Sequence, residues 1–261
     1  MLISLKDKKA LIGGSSGGIG KAIAIELAKS GAKVTLMARN EEKLKNVLEE
    51  LRAFGDQNHD YILVDFNNFQ AFKATIEKYF KQNKIDILVN NTQGPPPGNS
   101  LEVRTEDYQN AFNLLFKTVV LTTQLALDHM SKNKWGRIIN VASVSVKEPL
   151  SYLALSNSIR AAVVTWGKSL ATDVAKEGIT VNNILTGYFD TERIAQLNQK
   201  KAEQMAISVE EVRQAMEQMV PIKRIGDPKE YGYLVAFLAS DKASYITGTN
   251  IPIDGGLLKS F

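Results

Sequence analysis

The chain reads as an α/β protein: a doubly wound parallel sheet in a single domain, residues 1–261. Two observations predict this. Short apolar runs alternate with longer helical patterns almost to the end, and such alternation implies right-handed crossovers and a parallel sheet covered on both faces. The first apolar run, with Leu11 and Ile12, also leads through Gly13-Gly14-Ser15-Ser16-Gly17-Gly18-Ile19-Gly20 into an amphipathic stretch from Lys21. Strand, glycine turn and helix are closed by a second strand within about 30 residues, the layout of a dinucleotide-binding βαβ unit.

Taken in order, strands are expected at 9–12, 33–38, 61–65, 86–90, 137–142, 180–185 and 250–253, and helices at 18–30, 41–54, 68–82, 105–131, 151–176 and 228–239. Ligands then bind beyond the strand C-termini. In the turn, glycines let the backbone amides face a pyrophosphate at the helix N-terminus, and Gly18 and Gly20 keep that approach free of Cβ atoms. The segment 191–219 breaks the rhythm with a charged helical insertion carrying Met205, Met216 and Met219 before Pro221. It reads either as a surface helix pair whose methionines fill the core side, or as a mobile lid presenting flexible methionines to an acyl-like substrate.

Composition narrows the function classes. An apolar fraction of 44% supports a well-buried core. The absence of cysteine excludes disulfides, thiolate nucleophiles and cysteine metal sites. His59 and His129 are too far apart to suggest a metal motif, and each reads as a surface residue, so no metal is expected. Lys and Arg (32) exceed Asp and Glu (28) only modestly, with charges interspersed along helices, which argues against nucleic-acid binding. No apolar run approaches a membrane span and the N-terminal residues lack a signal-peptide layout, so a soluble cytoplasmic protein is expected.

Cofactor choice is legible at the end of the second strand. Folds that select NAD place an acid there, about 20 residues past the glycines, to bind the ribose 2′-hydroxyl. Here Ala38-Arg39-Asn40 occupies that place, and Arg39 offers a planar fork to a 2′-phosphate. NADP(H) is therefore preferred over NAD(H). The plainer reading makes Arg39 a solvated turn residue beside Glu41 and Glu42.

Further motifs follow in order: Asp65 ending the third strand, Asn90-Asn91-Thr92-Gln93 ending the fourth, Asn113 in the fourth helix and Ser143 after the fifth strand. Asn182 to Gly187 precedes Thr191, and Tyr245-Ile246-Thr247-Gly248 and Asp254-Gly255-Gly256 lie near the end. Together with the glycine turn they resemble the short-chain dehydrogenase/reductase family over about residues 5–257, in a divergent subgroup similar to 3-oxoacyl-[acyl-carrier-protein] reductases of fatty acid biosynthesis. The resemblance implies a Rossmann fold. It implies cofactor contacts from Gly14, Ser16, Gly18, Ile19, Gly20, Asn91, Gly94 and Thr191, with Asp65 beside the adenine and the 182–191 segment holding the nicotinamide amide. It also implies catalytic roles for Asn113 and Ser143, a small carbonyl or acyl-thioester substrate, and a homotetramer.

The family's Tyr-x-x-x-Lys pair on the fifth helix is absent. The register from Ser143, and the trailing Ala161-Ala162, puts Ser156 and Arg160 at those positions. A spacing of four still stacks both on one helical face. A serine hydroxyl is far less acidic than a phenol, and losing a positioned general acid costs about 10²–10⁴ in rate. Ser156 or a water above it would relay the proton while Arg160 binds the ribose. Tyr152, one turn before Ser156, and Tyr188 are alternative donors. The stiff loop Gln93-Gly94-Pro95-Pro96-Pro97-Gly98 runs beside the cofactor. The expected function is thus an NADP(H)-dependent oxidoreductase of ketones and secondary alcohols. The rivals are a non-catalytic dinucleotide-binding sensor or scaffold, and a purely structural oligomer.

Overall fold

Seven strands form one all-parallel sheet in the order β3-β2-β1-β4-β5-β6-β7 in a computed structural model that describes residues 2–55 and 57–260. They are β1 (Lys9–Gly13), β2 (Lys33–Ala38), β3 (Asp60–Leu63), β4 (Ile87–Asn90), β5 (Gly136–Val141), β6 (Ile179–Thr186) and β7 (Asn250–Ile253). Helices α1 (Gly18–Lys29), α2 (Glu41–Arg52), α3 (Phe69–Gln82), α4 (Thr105–Phe112), α5 (Thr118–Asn133) and α6 (Ala154–Val174) connect them. After β6 come α7 (Glu192–Met205), α8 (Val209–Met219) and α9 (Pro228–Leu238).

Alternation along each strand builds the two cores. Ala10 and Ile12 of β1, Val34 and Leu36 of β2, and Ile139 and Val141 of β5 face α1, α2 and α9. Their neighbours Leu11, Met37 and Ile138 face α3, α5 and α6. Strands buried on both faces read as continuous apolar runs, as these do. The chain winds outward from β1 to β3, then returns to place β4 on the other side of β1. The cleft therefore opens between the C-terminal ends of β1 and β4, the switch point where such sheets bind ligands.

Four asparagines run in register across this end of the sheet. Asn90, Asn140, Asn183 and Asn250 are lateral partners on β4 to β7. The Asn90 amide donates to Asn140 Oδ1, Asn140 to Asn183 Oδ1, and Asn183 to Asn250 Oδ1, each at 2.9 Å. Thr123 of α5 accepts a further bond from Asn90 at 3.0 Å. The side-chain ladder repeats the backbone ladder, so burial leaves its amides satisfied.

The helix expected over 105–131 is interrupted by a π-helical turn at Asn113–Lys117, where Thr118 N–H reaches back to the Asn113 carbonyl. Such turns occur frequently at functional sites. Phe116, in this turn, meets Trp166 of α6 edge-on, with ring centroids 6.1 Å apart. The helix expected from 151 begins at Ala154, because Leu153 has non-helical dihedrals and residue 98 bridges to it from the proline loop. The strand expected at 61–65 ends at Leu63, which leaves Asp65 in the following turn. Remaining ends agree within two residues. The 191–219 segment is a helix pair, α7 and α8, and of its methionines only Met216 is buried; Met205 and Met219 are exposed.

Truncating the ladder tests its weight. Asn140→Ala strands the Asn183 carbonyl oxygen and opens a small void, so the unfolding free energy should fall by about 2–4 kcal/mol in urea titration at fixed protein concentration. A change below about 0.5 kcal/mol would mean the ladder is dispensable.

Candidate active site

The glycine turn is shaped by packing. A Cβ at Gly13 would collide with the Asn91 carbonyl oxygen, and one at Gly20 with the Gly14 carbonyl oxygen. Gly14 and Gly18 take left-handed dihedrals, φ 56° and 52°. Asn91 Nδ2 donates to the Gly13 carbonyl at 3.0 Å and also reaches Gly14. Asn91 thus holds the turn from β4. Ser15 is fully buried; its hydroxyl donates to the Ile12 carbonyl and accepts from Met37 N–H, locking the turn to β2. Sequence reasoning passed over Ser15 in favour of Ser16, which lies at the cleft surface without a described hydrogen-bond partner.

Helix α1 begins at this turn with Gly17 as an extended residue and no side-chain cap. Its first backbone bond runs from Lys21 N–H to the Gly17 carbonyl, so the amides of Gly18, Ile19 and Gly20 find no described acceptor. A Cβ at Gly17 would meet nothing within 4 Å. This is a helix N-terminus with free donors and open space above it, the features that suit a phosphate group. The Ile19 side chain packs against the core, leaving only its amide for a ligand.

The other walls come from three loops. Thr191 caps α7, accepting from Ile194 N–H, and its methyl lies 3.2 Å from the Cβ position of Gly18. Arg193 reaches over Gly94 to donate to the Pro95 carbonyl at 3.0 Å. Asp65, exposed, accepts from the backbone and side chain of Asn67, which in turn accepts from Gln93. Arg39 is exposed at the end of β2, without a hydrogen bond or ion pair to a described residue.

At the cleft floor, Ser143 Oγ accepts from Ser145 N–H at 3.1 Å, which leaves its own proton free to donate outward. Ser156 is buried on α6, and Arg160, one turn on, donates to the Val141 carbonyl at 2.5 Å. Burial, opposed by Tyr231 and reinforced by the Arg193 cation, depresses the Arg160 pKa to about 10, so it remains a cation at neutral pH. Asn113 lies in the π turn, accepting from Gln109, and that turn packs on α6. Tyr188 lies beside Tyr152, and burial, reinforced by the neighbouring phenol, pushes the Tyr188 pKa up to about 12.

Neither histidine belongs to the site, and both are partly buried. His59 accepts from Val34 N–H, and His129 pairs with Asp86. Among the described residues no group of three His, Asp or Glu side chains could hold a metal ion, and no helix is long and apolar enough to cross a membrane.

A glycine turn leading into a helix at the β1/β4 switch point is the layout of a dinucleotide-binding α/β fold, and comparison with known proteins agrees. The family model described as "Enoyl-(Acyl carrier protein) reductase" matches residues 14–258. A 3-oxoacyl-[acyl-carrier-protein] reductase of Rickettsia felis is 33% identical over 98% of this chain and 99% of its own. The NADPH-dependent reductase BacG of Bacillus subtilis is 30% identical over 98% and 100%. The crystal structure of L-sorbose reductase from Gluconobacter frateurii, complexed with NADPH and L-sorbose, superposes with a TM-score of 0.92 at 31% identity, covering 100% of both chains. The chain belongs to the short-chain dehydrogenase/reductase family of oxidoreductases.

The turn makes two opposed predictions. Gly20→Ala should lower the melting temperature by about 5 °C or more, or abolish soluble expression, because a backbone carbonyl has nowhere to go. Gly17→Ala, extended and open, should melt within about 3 °C of the parent. Circular dichroism melts showing equal losses would contradict this packing account.

Proposed function

We propose that the chain is an NADP(H)-dependent oxidoreductase interconverting a ketone and a secondary alcohol, acting on a small carbonyl compound or an acyl thioester of the 3-oxoacyl type. The observation that carries the reading is the α1 N-terminus, whose first three amides find no acceptor among the described residues and lie at the β1/β4 switch point of the sheet. NADP(H) is supported over NAD(H) by Arg39, which stands free where an acid would select the unphosphorylated ribose. The names of the Rickettsia and Bacillus relatives support the same class.

The amides of Gly18, Ile19 and Gly20 would hold the diphosphate of a nicotinamide dinucleotide, which when bound would supply the hydride for the carbonyl carbon. The chain's own residues do the rest. Asn91 keeps the turn in its receiving shape, Thr191 borders it, and Asp65 and Gly94 flank the adenosine end. Arg160 spends one donor on Val141 and turns its others to the ribose hydroxyls. Ser143 donates to the substrate carbonyl oxygen, its Oγ oriented by the bond from Ser145 N–H and its proton engaged by no described residue. Asn113 positions the substrate across from it. Ser156 and a water above it would relay a proton from solvent to the carbonyl oxygen, the serine regaining the proton that it passes on.

A second reading, a dinucleotide-binding sensor or scaffold without turnover, is favoured by one observation. Ser156 and Arg160 stand on α6 where the family carries its catalytic tyrosine and lysine, so no phenol occupies the general-acid position. The proposal also includes a cytoplasmic homotetramer. Supporting it are the exposed Tyr233 and Tyr245, and a depression of about 460 Å³ lined by Phe112, Phe116, Val120 and Leu121. A monomer in light scattering would refute the assembly.

Two variants separate the readings. Ser143→Ala should lower kcat by about 10²-fold or more on any carbonyl substrate found, with NADPH affinity within about twofold of the parent. Unchanged turnover would remove Ser143 from the mechanism. Arg39→Gln should weaken NADPH by about tenfold or more while sparing NADH. Equal effects on both nucleotides would return Arg39 to a solvated turn residue.

A further inference from the structure

We propose that Arg193 clamps the diphosphate of the bound dinucleotide, closing the groove from the side opposite the glycine turn; this rests on the dinucleotide reading above. Three consecutive residues of the lid reach three different walls of one groove. The Thr191 methyl rests on Gly18. Both carboxylate oxygens of Glu192 lie 2.8 Å from Lys43 Nζ on α2. Arg193 Nη2 lies 3.0 Å from the Pro95 carbonyl. The first turn of α7 thus spans the cleft from the glycine turn to the proline loop. Its base is fixed to α8 by the paired contacts of Asp190 with Arg213. Whatever lies on the α1 amides lies under this span.

Charge identifies what Arg193 is for. No described carboxylate lies within ion-pair distance of it, and its one acceptor is a neutral backbone carbonyl, so most of its five donors are unused. A second cation, Arg160, lies near enough for the Arg193 charge to bear on it, and among the described residues it too bonds only to a backbone carbonyl. A guanidinium at the groove rim with no carboxylate partner among the described residues is suited to an oxyanion. Arg193 is two residues from Thr191, which borders the free amides; a diphosphate on those amides therefore lies within the arginine's reach. The guanidinium lies over Gly94, with Nη2 at ordinary contact distance, 3.6 Å, from the position a Cβ would take there. Arg193 also keeps solvent access, as a group that must let a ligand enter requires.

Nicotinamide fluorescence titration of the parent, Arg193→Gln and Arg193→Lys with NADPH and with NADH tests the clamp. Arg193→Gln should weaken both nucleotides by a common factor of about ten or more, since the diphosphate is shared, and Arg193→Lys should recover to within about threefold of the parent. Unchanged affinity in Arg193→Gln overturns the clamp; so does a loss that Lys does not restore, which would make Arg193 a structural strap. An unchanged nucleotide affinity with a raised KM for an anionic substrate would assign the oxyanion to the substrate instead. If the parent binds neither nucleotide, the dinucleotide reading itself falls, and the clamp with it.

Discussion

The steric contact between the first and fourth strands governs the rest of the molecule. The Asn91 carbonyl oxygen lies where a Cβ at Gly13 would stand, and the Gly14 carbonyl oxygen lies where one at Gly20 would stand. Close-packed backbone atoms cannot relax around an added methyl as a flexible side chain can. The approach brings Asn91 within 3.0 Å of the Gly13 carbonyl and fixes α1 so that its first amides point into the cleft. An anion site of this kind needs no charged side chain; it needs a backbone held in one place.

Beside that contact, the asparagine ladder sets the level of the cleft floor. Three buried amides in a sheet, Asn90, Asn140 and Asn183, would each cost free energy if unpaired, and the exposed Asn250 ends their row. In register they satisfy one another across β4 to β7, and Gly167 of α6 leaves room for them, because a Cβ there would stand 2.7 Å from Asn183 Oδ1. The helix carrying Ser156 and Arg160 is therefore packed directly onto the polar seam. Aromatic contact between Phe116 and Trp166 seats the π turn, and with it Asn113, against the same helix. Residues far apart in sequence reach one cleft because each is attached to a rigid element.

The alternation of apolar runs and the glycine turn made the sheet, its parallel sense and its ligand end legible from the sequence, since periodicity and glycine placement are local signals. The ladder was not legible. Asn90, Asn140, Asn183 and Asn250 each read as a polar break in an apolar strand, and only the lateral register shows that they face one another. The π turn at Asn113 was hidden for the same reason: one extra residue in a helical turn leaves the hydrophobic pattern on either side intact. Met205 and Met219 show how an apolar residue inside an amphipathic helix is assigned inward when the structure leaves it exposed. Arg193 went unnoticed because a lone arginine in a charged helix carries no signal until its neighbours are known.

Ser156 and Arg160 occupy a shared face of α6 in a chain whose family assignment is secure, and the chemistry they perform turns on whether the groove above them receives a dinucleotide. A crystal structure of the protein grown with saturating NADPH tests that most directly. The account predicts density for the diphosphate against the amides of Gly18, Ile19 and Gly20, with the nicotinamide ring directed toward Ser143. A groove left empty at saturating NADPH, or a nucleotide bound elsewhere on the surface, would contradict it.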